Sequence, residues 1–182
     1  GEKYPDVLFG VLAYVNYNSP PAREPVHPNV IPMIAPIDFN LVRDAYQFRV
    51  ILEKEAVAHF TRTASDEEIQ AIREQHEEIL RRAESGEVSA ELDAHAQAVD
   101  WGFHDQLIDS MRNEIIAKAY RVNSLKIRLI RQELTRIDGH VIPVMKEPLP
   151  IILAIQAREE DAAVAALVRH IETARQRALG MS

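Results

Sequence analysis

The 182 residues contain no cysteine, which excludes a disulfide framework, a thiolate metal site and a cysteine nucleophile. No purely apolar run exceeds a handful of residues, so no helix has the length to cross a bilayer. Positive charge is in deficit. Twenty-one Lys and Arg face 28 Asp and Glu, and the net −7 opposes autonomous binding to a phosphate backbone. What is present is core material: 47% of the residues are apolar, enough to exclude wholesale disorder. The length suits one ordinary domain with an appendage, and the whole reads as a soluble, cytoplasmic protein of a reducing compartment. A chain that opens on Gly1 instead of Met is expected to be an excised fragment with a tag remnant.

Proline divides the sequence. Seven of the ten prolines lie at or before residue 36, the others being Pro143, Pro148 and Pro150. Fixed φ and a missing amide donor keep residues 19–36 out of helix and central strand. Residues 1–37 are therefore expected to form an extended arm. Its apolar stretch, Val7 to Val15, is expected to pack on the body or on a second subunit.

From Asp38 onward glycine becomes rare, and runs rich in Ala, Leu, Glu, Arg and Ile predict helices. They are expected at about 38–63, 65–85, 89–111, 113–137, 141–158 and 159–179. Ser65 with Glu68 has the pattern of a capping box, Gly86 ends the second helix, and Asp138-Gly139 is expected to stop the fourth. The prolines of the fifth predict a break near 146–150. No strand-like alternation of useful length follows residue 38. Residues 38–182 thus read as an all-α, antiparallel bundle of six to seven helices, whose interior can hold a small-molecule site.

The informative residues are polar ones on inward stripes. Asp100 and His104, four apart beside Phe103 and Leu107, project from one helix face. They are either an orienting carboxylate–imidazole pair or two ligands of one ion. His170, between Leu167 and Ile171 at the edge of the last helix's apolar stripe, is the best further candidate. His27, His59, His76, His95 and His140 are weaker, and His76 sits among Gln75, Glu77 and Glu78. Arg49, flanked by Tyr46, Val50 and Leu52, either pairs with Glu53 on the surface or points inward. Turned inward, it needs an anion to balance it and could clamp a ligand carboxylate. Asn123 could add a directional hydrogen bond to such a ligand, or face solvent.

The order Tyr46-x-x-Arg49-x-x-x-Glu53, Asp100-x-x-Phe103-His104, Asn113, Glu147 ahead of Ala154-Ile155, then His170 resembles the ligand-binding FCD domain of FadR-type GntR transcriptional regulators. The resemblance covers about residues 38–179 and implies a homodimeric effector sensor. Its winged helix-turn-helix, through which DNA would be bound, would lie upstream. It also implies a divalent metal, zinc or nickel, with Asp100, His104 and His170 matching three of the family's four ligands. The fourth, a histidine in a Glu-His pair, is replaced here by Pro148 after Glu147. A small carboxylate effector would be held by Arg49 and Asn123. Two other functions stay open from the residues themselves. One is a mononuclear metallohydrolase with Glu147 as base; the other is a structural helical module with its interior packed shut.

Overall fold

The computed structural model describes residues 38–134 and 141–180. The expected N-terminal arm and the Asp138-Gly139 stop lie outside the described residues. Among the described residues, seven helices follow one another: α1 Phe39–Thr63, α2 Asp66–Glu84, α3 Ala90–Ser110, α4 Glu114–Leu134, α5 Val141–Lys146, α6 Leu149–Gln156 and α7 Glu160–Ala178. No strand occurs among the described residues. The all-α expectation holds.

Local chemistry sets the boundaries. Asp38 Oδ1 accepts the Leu41 amide at 2.8 Å and opens α1. At α2 the Ser65 hydroxyl accepts the Glu68 amide at 3.1 Å, while Glu68 Oε2 accepts the Ser65 amide at 2.8 Å. That reciprocal box, with three acids in the first turn, suits the positive end of the helix dipole. Gly86, at φ +91°, takes the left-handed conformation that closes α2. Ser89 caps α3, and Asn113 Oδ1 accepts the Ile115 and Ile116 amides at the start of α4.

The proline-rich fifth element is broken where expected, into α5 and α6. Glu147 and Pro148 form the joint, and Pro148 is buried as the N-cap of α6. Arg158, at φ +59° before α7, ties that turn to the α1–α2 corner by donating to Thr61 O at 2.9 Å and Asp66 Oδ1 at 2.6 Å.

The inward stripes pack as the spacing requires. α1 buries Val42, Tyr46, Ala56, Val57 and Phe60 and lies against α7, α3 and α4. A cluster of Ile79, Leu92, Ala96, Val141, Val144 and Met145 joins α2, α3 and α5. On α7 the buried stripe runs through Ala163, Ala166, Leu167, His170 and Ile171. Val164 and Ala174, on the same helix, are half-buried. α1 therefore sits at the centre of the bundle, and its polar residues become the floor of the site.

Replacing Ser65 by Ala removes one arm of the capping box and should cost about 1 kcal/mol of unfolding free energy. Truncating the fully buried Ile155 to Ala should cost about 2–5 kcal/mol. Urea unfolding followed by circular dichroism checks both, and equal losses would refute the account.

Candidate functional site

Glu53 is wholly buried on α1 and accepts three hydrogen bonds. Arg49 Nε, one helical turn earlier, donates to Oε1 at 2.5 Å. Tyr120 of α4 donates its hydroxyl to Oε1 at 2.7 Å, and His104 Nδ1 of α3 lies 2.7 Å from Oε2. The opposite ring nitrogen, His104 Nε2, faces His170 Nε2 of α7 at 3.2 Å, with the two rings nearly parallel. Asp100 Oδ1 stands 4.0 Å from His104 Nε2 and has no hydrogen-bond partner; Oδ2 accepts from Arg131 at 2.7 Å. His170 Nδ1 in turn lies 3.4 Å from Glu147 Oε2, whose carboxylate is gripped at both oxygens by Arg177. Four helices and the α5–α6 joint thus converge on one point.

Burial by itself would raise the pKa of Glu53. The Arg49 guanidinium beside it, with His104 and Tyr120, instead lowers it to about 2, so Glu53 is ionised. Burial lowers His104, and the Arg49 charge lowers it further, to about 4. His104 is therefore neutral at physiological pH. With ionised Glu53 as acceptor, its one proton belongs on Nδ1, an assignment made from the hydrogen-bond network. The Nε2 lone pair is left facing His170. Burial opposes ionisation of Asp100 too, but the Arg131 guanidinium beside it holds it well below the usual carboxylate range.

Of the residues singled out from the sequence, Arg49, Asp100, His104, Asn123 and His170 are buried, Glu147 is half-buried, and Asn113 is exposed. Asp100, His104 and His170 present ligand atoms within 4.8 Å of one another. Arg49 points inward and pairs with Glu53, so the two readings of that pair merge into one buried ion pair. Asn123 is buried and donates to Ala45 O at 2.9 Å, pinning α4 to α1. It also lines, with Arg49, His104, Trp101 and Arg128, a cavity that has room for about one water molecule. On that wall Trp101 Nε1 and Arg128 Nε are buried donors without a partner, and the Arg128 guanidinium lies 4.3 Å from the Trp101 ring centre.

Sequence reasoning missed Tyr120, Arg131 and Arg177, which reach the site from other helices. It also set His76 aside, yet His76 is 1% exposed. The available signal was its place in the series Ile69, Ile72, His76, Ile79, at helical steps of three, four and three.

These elements define an all-α helical domain with an enclosed ionisable cluster and a small cavity. The comparisons make the class specific. The FCD domain family matches residues 44–173, and the chain belongs to it. The Nta operon transcriptional regulator of Aminobacter aminovorans is 31% identical over 137 residues, 75% of this chain and 60% of that protein. The chain thus spans 60% of the length of this curated relative. A solved metal-free FCD domain, from TM0439, superposes with a TM-score of 0.64 over 81% of this chain and 97% of its own, at 16% identity. That likeness supports the fold. Family membership makes the chain a regulatory domain and not an enzyme.

Because the folded His104 value lies below the ordinary 6.5, the unfolded chain takes up this proton first as pH falls. The contribution of neutral His104 is fully present above pH 6.5 and should decline towards pH 4, by roughly 2–3 kcal/mol, with a further loss below 4.5 as Glu53 loses its paired state. A pH series of thermal melts on chelator-treated protein checks the sign. Glu53→Gln leaves Arg49 buried without its carboxylate and should cost about 3–5 kcal/mol. Wild-type stability in that variant would contradict the pairing.

Proposed function

We propose that this chain is the effector-sensing domain of a cytoplasmic GntR/FadR-type transcriptional regulator that acts as a homodimer. Asp100, His104 and His170 hold a divalent metal, zinc or nickel, and Arg49 and Asn123 face a small carboxylate effector. DNA is bound through a winged-helix domain outside this chain. The observation that carries the metal reading is the pair of Nε2 atoms facing each other at 3.2 Å. Two nitrogens bound to one tetrahedral ion at 2.0–2.1 Å stand about 3.3 Å apart. Each ring also has its other nitrogen near a carboxylate, Glu53 for His104 and Glu147 for His170, the arrangement that orients metal-ligating imidazoles. The orphaned Asp100 Oδ1 supplies an anionic oxygen beside them.

The residues present therefore fit an ion, which would supply a Lewis-acidic grip on an effector oxygen. The unpartnered donors Trp101 Nε1 and Arg128 Nε, on the wall shared with Arg49, favour a ligand rich in acceptor oxygens. The room for about one water means that such a ligand enters by displacing that wall. Glu147, suggested as a hydrolytic base, has both oxygens engaged by Arg177.

For the homodimer, Ile115, Val122 and Leu129 are exposed on α4 seven residues apart, the spacing of a helix–helix seam. The relative from Aminobacter aminovorans bears the name of an operon regulator, in keeping with the DNA-linked role.

Calorimetric titration of chelator-stripped protein with zinc and nickel tests the centre. Wild type should bind one ion, and His104→Ala should abolish binding; undiminished binding by His104→Ala would remove His104 from the ligand set. For the effector, Arg49→Lys preserves the charge opposite Glu53 but loses the planar fork. It should weaken binding of a small-carboxylate panel at least tenfold, and unchanged affinity would exclude Arg49.

A further inference from the structure

The metal reading leaves a vacancy, because the position that carries the fourth histidine in the resembling family is Pro148, which has no donor atom. We propose that His76, from α2, supplies that fourth donor through Nε2. This inference rests on the metal reading and goes beyond it, since α2 contributes no ligand to the pattern that the resemblance implies.

Four observations support it. First, His76 is 1% exposed and its Nε2 is enclosed with no hydrogen-bond partner. A buried polar atom in that state costs about 1–3 kcal/mol, so it calls for a ligand. Second, Nδ1 is 2.8 Å from the Ile72 carbonyl oxygen. The proton of neutral His76 is thereby fixed on Nδ1, and Nε2 carries the lone pair. A backbone carbonyl on the far nitrogen is how metal-binding imidazoles are commonly oriented.

Third, the place is right. The His76 ring meets Phe103 edge-on at 5.6 Å, and Phe103 packs against His104 at 5.2 Å. α2 lies against α3, which carries Asp100 and His104, and against α5 and α6, whose joint holds Pro148. The Asp100 carboxylate is close enough to act on the His76 ring. Fourth, two of the partnerless buried atoms beside His104 are of one kind. Asp100 Oδ1 and His76 Nε2 are both buried electron-pair donors without a partner, and such a place lacks an electron-pair acceptor. His76 Nε2 stands outside the triplet whose donor atoms lie within 4.8 Å of one another, so coordination requires the ring to pivot about its Nδ1 contact with the Ile72 carbonyl to reach the ion.

The test uses chelator-stripped protein, zinc titration and the EPR spectrum of the copper(II) form, in which coordinated nitrogens split the copper signal. His76→Gln keeps a polar side chain of similar size, and circular dichroism verifies its fold. Wild type should show three coordinated nitrogens, and His76→Gln two, with zinc affinity reduced at least tenfold. Adding Pro148→His to His76→Gln should restore both the third nitrogen and the affinity. Two nitrogens in wild type and variant alike, with zinc still bound and lost in His104→Ala, overturn the role of His76 and leave the three-residue centre standing. Wild type that binds no metal overturns both, and does so at the first titration.

Discussion

A single carboxylate, Glu53, organises this interior. It lies at the middle of the most central helix with no exposure, and a charge there is tolerable only if its lone pairs are occupied and its charge is balanced. Arg49 balances it from the same helix, Tyr120 from α4 and His104 from α3 occupy the remaining positions, and three helices are thereby held in register. The same contact decides the chemistry of His104. With Nδ1 bonded to an ionised acceptor, the proton is placed and the opposite nitrogen is left as a base. Two outer pairs, Asp100 with Arg131 and Glu147 with Arg177, repeat the pattern on either side of His170.

The interior has two chemically distinct sides that meet at His104. Towards α7, Asp100 Oδ1 and His76 Nε2 are partnerless electron-pair donors, while Arg175 Nε of α7 itself is an unpartnered N–H donor. Towards α4, the unsatisfied atoms are N–H donors on Trp101 and Arg128. A cation and an acceptor-rich anion answer these two needs, and a ligand spanning both would touch Arg49 and reach Glu53 through it. Since Glu53 also orients His104, the proposed occupancy of one side would change the electrostatics of the other without any long-range pathway. Under the proposed function, regulation requires the ligand to favour one arrangement of the assembled protein over another; α4, which lines the cavity inside and exposes Ile115, Val122 and Leu129 outside, would be the element that links the two.

Much of the architecture was legible because it depends on local rules. Ser65 and Glu68 declare a helix start through their own hydrogen bonds, Gly86 declares an end through its backbone freedom, and Pro148 and Pro150 break the fifth element by lacking donors. Asp100 and His104 share a face because a helix repeats every 3.6 residues. His170 could be placed at the edge of a stripe, but its partner could not. His76 misled because its immediate neighbours are all polar, while the apolar series that buries it runs at steps of three and four. Glu53 looked like half of an ordinary surface pair, since sequence shows the spacing of Arg49 and Glu53 and conceals what covers them.

The sequence by itself determined the helices, their ends, their inward faces and which ionisable groups had to go inside, because propensity, capping and periodicity act within a few residues. Only the tertiary structure decided which of those groups meet. The approach of His104 to His170, 66 residues apart, and of Tyr120 to Glu53, 67 apart, follows from how α3, α4 and α7 pack around α1. The protonation state of each follows in turn from that packing, because burial and neighbouring charge are properties of the assembled interior and of no short stretch of chain.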